Sequence, residues 1–135
     1  MTHYEVYQYN EIGYQKLFSF QSWRIAILNY IDELDKENIT KFQAHLETDE
    51  AFVLLEGAAT LFYLDQDEVK PIHLEKNKVY NMKKGVYHSH VLSKTCKLLI
   101  IEEENTSDDN SPFHVLTEKQ KAAVIRLTGE NHGII

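Results

Sequence analysis

Apolar positions between residues 22 and 103 recur in short runs separated by polar turns, a pattern typical of an all-β chain. The runs cover residues 22–30, 40–47, 50–55, 58–64, 69–74, 79–82, 86–92 and 97–103. Because they are closely spaced and do not alternate with helices, they predict a β-sandwich or closed barrel. The Glu56-Gly57 step between two of the runs predicts a hairpin. Pro71 lacks a backbone N–H, which predicts an edge strand for its run.

The periodicity changes at the end of the chain. Thr117 followed by Gln120 fits a capping box, and Gly129 is placed as a C-terminal stop. Helical spacing is shared by Gln120, Ala123, Val124 and Leu127. We therefore predict one amphipathic helix over about residues 117–128, packed on the outside of the barrel or against a second subunit.

Length and charge narrow the class of protein. The 135 residues predict a single domain over 1–135, with a barrel core at about 20–104. The net charge of −7 disfavours nucleic acid and anionic membranes as partners, and no apolar run approaches the roughly 20 residues of a membrane span. Cys96 is the single cysteine and no secretory signal is recognisable, which predicts a cytoplasmic protein. The acid-rich tract at 102–110 is expected to be a solvated loop.

Candidate chemistry is concentrated in two of the runs. Gln43 and His45 lie two positions apart on one predicted strand and therefore share a face, while Glu50 opens the next strand. His88 follows some 40 residues later and precedes His90 by two positions. If these residues meet inside the barrel, they offer two imidazoles, a carboxylate and an amide oxygen, which suits a divalent transition metal.

The first of these runs resembles a motif of the cupin superfamily. That motif reads His-x-His, three or four residues, Glu, six residues, Gly. Here Gln43-Ala44-His45 is followed after four residues by Glu50 and after six more by Gly57. The pattern keeps His45, Glu50 and Gly57 in register but has glutamine where the family's first histidine usually stands.

The second run is a degenerate form of the other cupin motif, which reads Gly, five residues, Pro-x-Gly, two residues, His, three residues, Asn. The corresponding positions are Asn77, Lys83, Gly85, His88 and Leu92, and only Gly85 and His88 match. The resemblance implies a small single-domain cupin, with a double-stranded β-helix (jelly-roll barrel) and a C-terminal α-helix. It also implies a metal held by Gln43, His45, Glu50 and His88.

The departure at Gln43 leaves the inner shell open to two interpretations. Gln43 either binds the metal through its amide oxygen or is an inward polar residue that binds water or ligand. Without it, His45, Glu50 and His88 still form a set of two histidines and one carboxylate, and zinc, nickel, iron and manganese all remain candidates. His90 is expected on the face of His88, as a general acid or base or as a packing residue.

Two functional hypotheses follow from the resemblance. The first is a metal-dependent enzyme, of dioxygenase or isomerase/epimerase type, that acts on a small polar metabolite and moves a proton with Glu50 or His90. The alternative is a non-catalytic cupin that binds a sugar-like ligand in the same cavity. Cupins commonly pair through sheet faces, which predicts a homodimer.

Overall fold

Two antiparallel sheets form the protein in the computed structural model, which describes residues 3–129. The strands are β1 Tyr14–Phe20, β2 Trp23–Asn29, β3 Lys41–Gln43, β4 Glu50–Glu56, β5 Ala59–Asp65, β6 Glu68–His73, β7 Val79–Met82, β8 His88–Leu92, β9 Lys97–Glu103 and β10 Phe113–Val115. Short 3-10 helices span Asp32–Leu34 and Asp108–Asn110, and helix α1 spans Glu118–Leu127.

The order of the strands is that of a jelly roll. Sheet A runs β1-β2-β9-β4-β7 and sheet B runs β10-β3-β8-β5-β6. Without the first and last strands, the order is β2-β9-β4-β7 in sheet A and β3-β8-β5-β6 in sheet B. These two orders are those of a jelly-roll barrel. The predicted all-β jelly-roll barrel with a C-terminal helix is confirmed.

Alternating side chains divide the apolar residues between two cores. Phe52, Leu54 and Leu98 belong to the cluster between the sheets, as expected if Glu50 also points inward. Phe62 and Val124 belong to a second cluster, formed where α1 packs on the outer face of sheet B. The helix thus packs on the outside of the barrel. Among the described residues, no helix is long and apolar enough to cross a membrane.

The predicted hairpin at Glu56-Gly57 is wrong. β4 pairs with β7 and β9, whereas β5 pairs with β6 and β8, so this turn carries the chain from one sheet to the other. The backbone N–H of Ala58 donates to Ser93 Oγ instead of to a neighbouring strand. The next turn along the chain does form a hairpin, which joins β5 and β6. β6 is an edge strand, as Pro71 predicts.

The sequence pattern also missed β1. This strand pairs with β2, but the register shifts between Lys16 and Phe18, so its side chains do not alternate regularly. Such a bulge removes the period of two that would reveal the strand. Phe18 contacts Tyr7 and Trp23, with ring centroids 5.3 and 5.8 Å apart, and these aromatic side chains stand outside the barrel.

Candidate metal centre

The ends of three strands bring the predicted ligands together at one mouth of the barrel. Gln43 ends β3 and pairs directly with His88, the first residue of β8, while Glu50 is the first residue of β4. His45 follows β3, where Ala44 still bonds to the chain before β10. All four side chains line a cavity of about 610 Å³ between the sheets.

His45, Glu50 and His88 form the centre of the cluster. Oε1 of Glu50 lies 2.8 Å from Nε2 of His88 and 3.1 Å from Nε2 of His45. Both Glu50 and His88 are only 6% exposed, and the two imidazole centroids are 5.2 Å apart. The three potential ligand atoms all lie within 4.8 Å of one another. The structure therefore assembles two histidines and one carboxylate from residues far apart in the chain.

Nδ1 of His88, the ring nitrogen that does not face Glu50, has its own hydrogen-bond partner. Nδ1 of His88 lies 2.9 Å from the carbonyl oxygen of Val86, which only accepts hydrogen bonds. When a neutral His88 donates its single proton from Nδ1 to Val86, its Nε2 lone pair faces the carboxylate oxygen of Glu50. Two acceptors at 2.8 Å repel each other. With this tautomer, a metal ion between the two atoms makes their arrangement favourable.

The spacing of these atoms also fits a metal ion. Ligand nitrogen and carboxylate oxygen atoms lie about 2.1 Å from a divalent transition metal, so neighbouring ligands at right angles are about 3 Å apart. The contacts from Glu50 to His88 and His45 measure 2.8 and 3.1 Å. Imidazole and carboxylate are ligands that zinc, nickel, iron and manganese accept. The donor set and its spacing are therefore compatible with such an ion.

The electrostatics of the cluster favour a negative carboxylate facing positive charge. Burial raises the pKa of Glu50, but its contacts with His45 and His88 outweigh burial and hold that pKa well below its usual range. Burial has the opposite effect on His45 and lowers its pKa. The hydrogen bond to Glu50 outweighs burial, so the pKa of His45 is raised above its usual value. Glu50 is thus an ionised ligand candidate at neutral pH.

A second buried carboxyl group, Glu102, lies beside Glu50, and sequence reasoning missed it. It lies on β9 directly opposite Arg24 of β2, which donates to it, and its carboxyl group is in hydrogen-bond contact with that of Glu50. Burial and the Glu50 carboxylate raise the pKa of Glu102 to about 8, although Arg24 opposes the shift. The pKa of Glu102 is raised because it is unfavourable for two carboxyl groups in contact to be ionised at the same time.

The position of Glu102 corrects the interpretation of residues 102–110 as a solvated loop. Glu102 and Glu103 belong to β9, and Glu102 is 7% exposed. A signal for this was present, because Leu98, Ile100 and Glu102 continue the alternation of β9 on its inward face. The rest of the tract contains the 3-10 helix Asp108–Asn110, capped by Ser107.

Gln43 and His90 border the cluster in different ways. The amide nitrogen of Gln43 donates to Oδ1 of Asp108 at 3.0 Å and to the carbonyl oxygen of Ser111 at 2.9 Å, so only its amide oxygen is suited to bind a metal. His90 lines the cavity, and burial lowers its pKa to about 4. Its Nδ1 is buried with no hydrogen-bond partner among the described residues.

Comparisons with known proteins agree with this architecture. No family model and no curated protein matches the sequence. A cupin-2 domain containing protein from Shewanella frigidimarina superposes with a TM-score of 0.55 and 22% identity, over 71% of this chain and 85% of that chain. A variant of Streptomyces PAC13, solved with uridine, has a TM-score of 0.58 and 8% identity, over 88% of this chain and 97% of that chain.

The cobalt(II) form of the protein HppE, solved in complex with substrate, is a third similar structure. Its TM-score is 0.53 and its identity 18%, over 66% of this chain and 51% of that chain. This chain therefore corresponds to about half of the HppE chain. At these low identities the likeness concerns the fold, and together with the strand order it shows that the protein is a jelly-roll barrel of the cupin type.

Proposed function

We propose, from the cupin fold and the cluster within it, that this protein is a metal-dependent enzyme acting on a small polar metabolite in the barrel cavity. The observation that carries the proposal is the cluster of His45, Glu50 and His88, whose potential ligand atoms all lie within 4.8 Å of one another. Two structures of similar fold support the proposal, because HppE was solved with cobalt and its substrate, and PAC13 was solved with uridine.

His45, Glu50 and His88 would hold the ion, and Gln43 would add its amide oxygen. When bound, such an ion polarises a carbonyl, hydroxyl or carboxylate oxygen of a substrate. His90 lines the cavity and, with its pKa lowered to about 4, is neutral near pH 7. It is therefore suited to accept a proton from the substrate or to donate a hydrogen bond to it, with Glu50 as the other candidate for proton transfer.

The metal content of protein purified without an affinity tag tests the proposal. The wild type should hold stoichiometric iron, manganese, nickel or zinc, and His45→Ala and His88→Ala should each lose it. His73→Ala is the matched control, because His73 lies exposed on β6 and should leave the metal content unchanged. His90→Ala should retain the metal while losing contacts to a bound small molecule.

An empty wild type after incubation with all four metals would exclude the metal-dependent enzyme. Sugar binding by that metal-free protein, measured by calorimetry, would instead favour a non-catalytic binding protein. Metal retention in both His45→Ala and His88→Ala would show that the ion binds elsewhere. These outcomes separate the function of the cavity from the mere presence of a metal in the sample.

The proposal includes a cytoplasmic homodimer formed through the outer face of sheet A. α1 packs on the outer face of sheet B, whereas exposed apolar side chains remain on sheet A, including Trp23, Val79 and Ile101. An exposed apolar sheet face of this kind favours a second copy of the chain as its cover. Light scattering at micromolar concentration should give the mass of a dimer, and Ile101→Lys should reduce it to that of a monomer. A monomeric wild type would contradict this part of the proposal.

A further inference from the structure

The segment after β9 returns to the cluster as an ordered loop. Ser107 caps the 3-10 helix Asp108–Asn110, and the side chain of Asn110 is held at both ends of its amide. Its Nδ2 donates to the carbonyl oxygen of Asn105 at 3.0 Å, and its Oδ1 accepts from the backbone N–H of Ser107 at 3.1 Å. These two backbone partners fix which end of the amide is oxygen.

Ser111 connects this fixed amide to His45. The side chain of Ser111 is fully buried, and its Oγ lies 3.1 Å from Oδ1 of Asn110 and 2.8 Å from Nδ1 of His45. A serine hydroxyl has one hydrogen, and Oδ1 of Asn110 can only accept it. The hydroxyl therefore donates to Asn110, and its oxygen accepts the Nδ1 proton of His45.

We propose that Ser111 is a positioning residue that holds His45 with its proton on Nδ1, so that the Nε2 lone pair is directed to the metal centre. Val86 does the same for His88 through a backbone carbonyl. This inference rests on the proposed metal-binding function, and it assigns to the loop a role in that function. Hydrogen bonds to the outer nitrogen of a ligating histidine fix its tautomer and ring orientation.

The same loop orients Gln43, the residue that departs from the family pattern. Asp108 and the backbone carbonyl of Ser111 accept both hydrogens of the Gln43 amide. Backbone bonds also attach the loop to the two neighbours of His45, since Leu46 donates to Asn110 and Ala44 to Pro112. Two of the four predicted ligands are thus oriented by a segment that contributes no ligand of its own.

The tautomer of His45 distinguishes this role from a purely structural one. The readout is the ¹⁵N NMR spectrum of His45 in metal-free protein, at a pH where the imidazole is neutral. We expect the proton on Nδ1 in the wild type and a shift of the proton toward Nε2 in Ser111→Ala. Ser111→Thr, which keeps the hydroxyl, should restore the wild-type spectrum. Ser93→Ala is the matched control, because Ser93 is a buried serine that bonds to Ala58 instead.

Zinc affinity, measured by competition with a chelator, is the second readout. Ser111→Ala should weaken zinc binding by about 10- to 100-fold, the range seen when an outer hydrogen-bond partner of a ligand is removed. If Ser111→Ala fails to fold, Asn110→Ala tests the same point. Without the Asn110 acceptor, the Ser111 hydroxyl is free to donate to His45, which moves the proton to Nε2.

The two measurements separate this inference from the proposed function. A wild-type protein with His45 protonated on Nε2, or a Ser111→Ala spectrum identical to that of the wild type, would overturn the role of Ser111 even if zinc binds. The expected tautomers in a protein that binds no metal would support the role of Ser111 and refute the metal-dependent function.

Discussion

Replacement of Gly57 by alanine should be among the most damaging changes of one methyl group in this chain. Gly57 lies at the turn from sheet A to sheet B and has a φ of +72°. An added Cβ would lie 2.7 Å from both the Cα and the backbone nitrogen of Cys96, and 2.8 Å from Ser93 Oγ. The two Cys96 atoms are backbone, so the clash is relieved only by displacing the turn that leads into β9.

Gly85 provides the matched comparison for the magnitude. Its φ is +82°, and a Cβ there would have no neighbour within 4 Å. The left-handed conformation costs alanine about 1–2 kcal/mol at either position. Overpacking adds about 1–3 kcal/mol at Gly57 alone. Gly57→Ala should therefore lower the free energy of unfolding by about 2–5 kcal/mol, against about 1–2 kcal/mol for Gly85→Ala.

Urea denaturation followed by circular dichroism measures both variants. With equal m-values, the difference between their midpoints isolates the steric contribution of Cys96 and Ser93. Equal losses of stability in the two variants would refute this reasoning, because they would mean that backbone conformation alone explains the glycine. A larger loss in Gly85→Ala would refute it as well.

Three further predictions concern residues outside the metal centre. Burial raises the pKa of Cys96 to about 12, so its thiol should react with disulfide reagents in urea but not under native conditions, and prompt native labelling would contradict this. Hydrogen bonds from Asn81 and the Lys84 N–H lower the pKa of Asp49 from 3.8 to about 2. The stability lost in Asp49→Ala should thus be fully present above about pH 4 and vanish as the pH falls toward 2, whereas a pH-independent difference in urea midpoints would oppose it. Thr117→Ala should lower the free energy of unfolding by about 1 kcal/mol through loss of the α1 cap, and an unchanged midpoint would count against that cap.

The alternation of side chains made the barrel and part of the site predictable from sequence. The period of two along β4 puts Phe52 and Leu54 on the same face as Glu50, and in the structure both belong to the core between the sheets. The helical spacing and capping box at Thr117 likewise identified α1 within two residues of its ends. These features depend on neighbours along the chain, which a sequence displays directly.

The features that sequence reasoning missed depend on neighbours in space. Turn chemistry at Gly57 shows that the chain reverses direction, but the sheet that β5 joins is decided by pairing with β8. Glu102 ends the predicted run 97–103 and also begins the tract predicted to be a solvated loop. Its burial depends on contacts with Arg24 and Glu50, which are far from it in the sequence. Ser111 carries no signal at all, since its contact with His45 exists only after the loop returns across the barrel.

The residues of the cluster are far apart in the sequence, so an ion bound by them would stabilise the folded state. Glu50 and His88 are 38 residues apart, and His45 and Ser111 are 66 apart, so these contacts exist only when the barrel has closed. An ion bound there recognises the folded state alone. At a free concentration 100 times its dissociation constant, it would stabilise the folded state by about 2.7 kcal/mol. Shifts of about 1–2 kcal/mol change cellular abundance several-fold, so under the proposed function the amount of this protein in a cell should follow the availability of the metal.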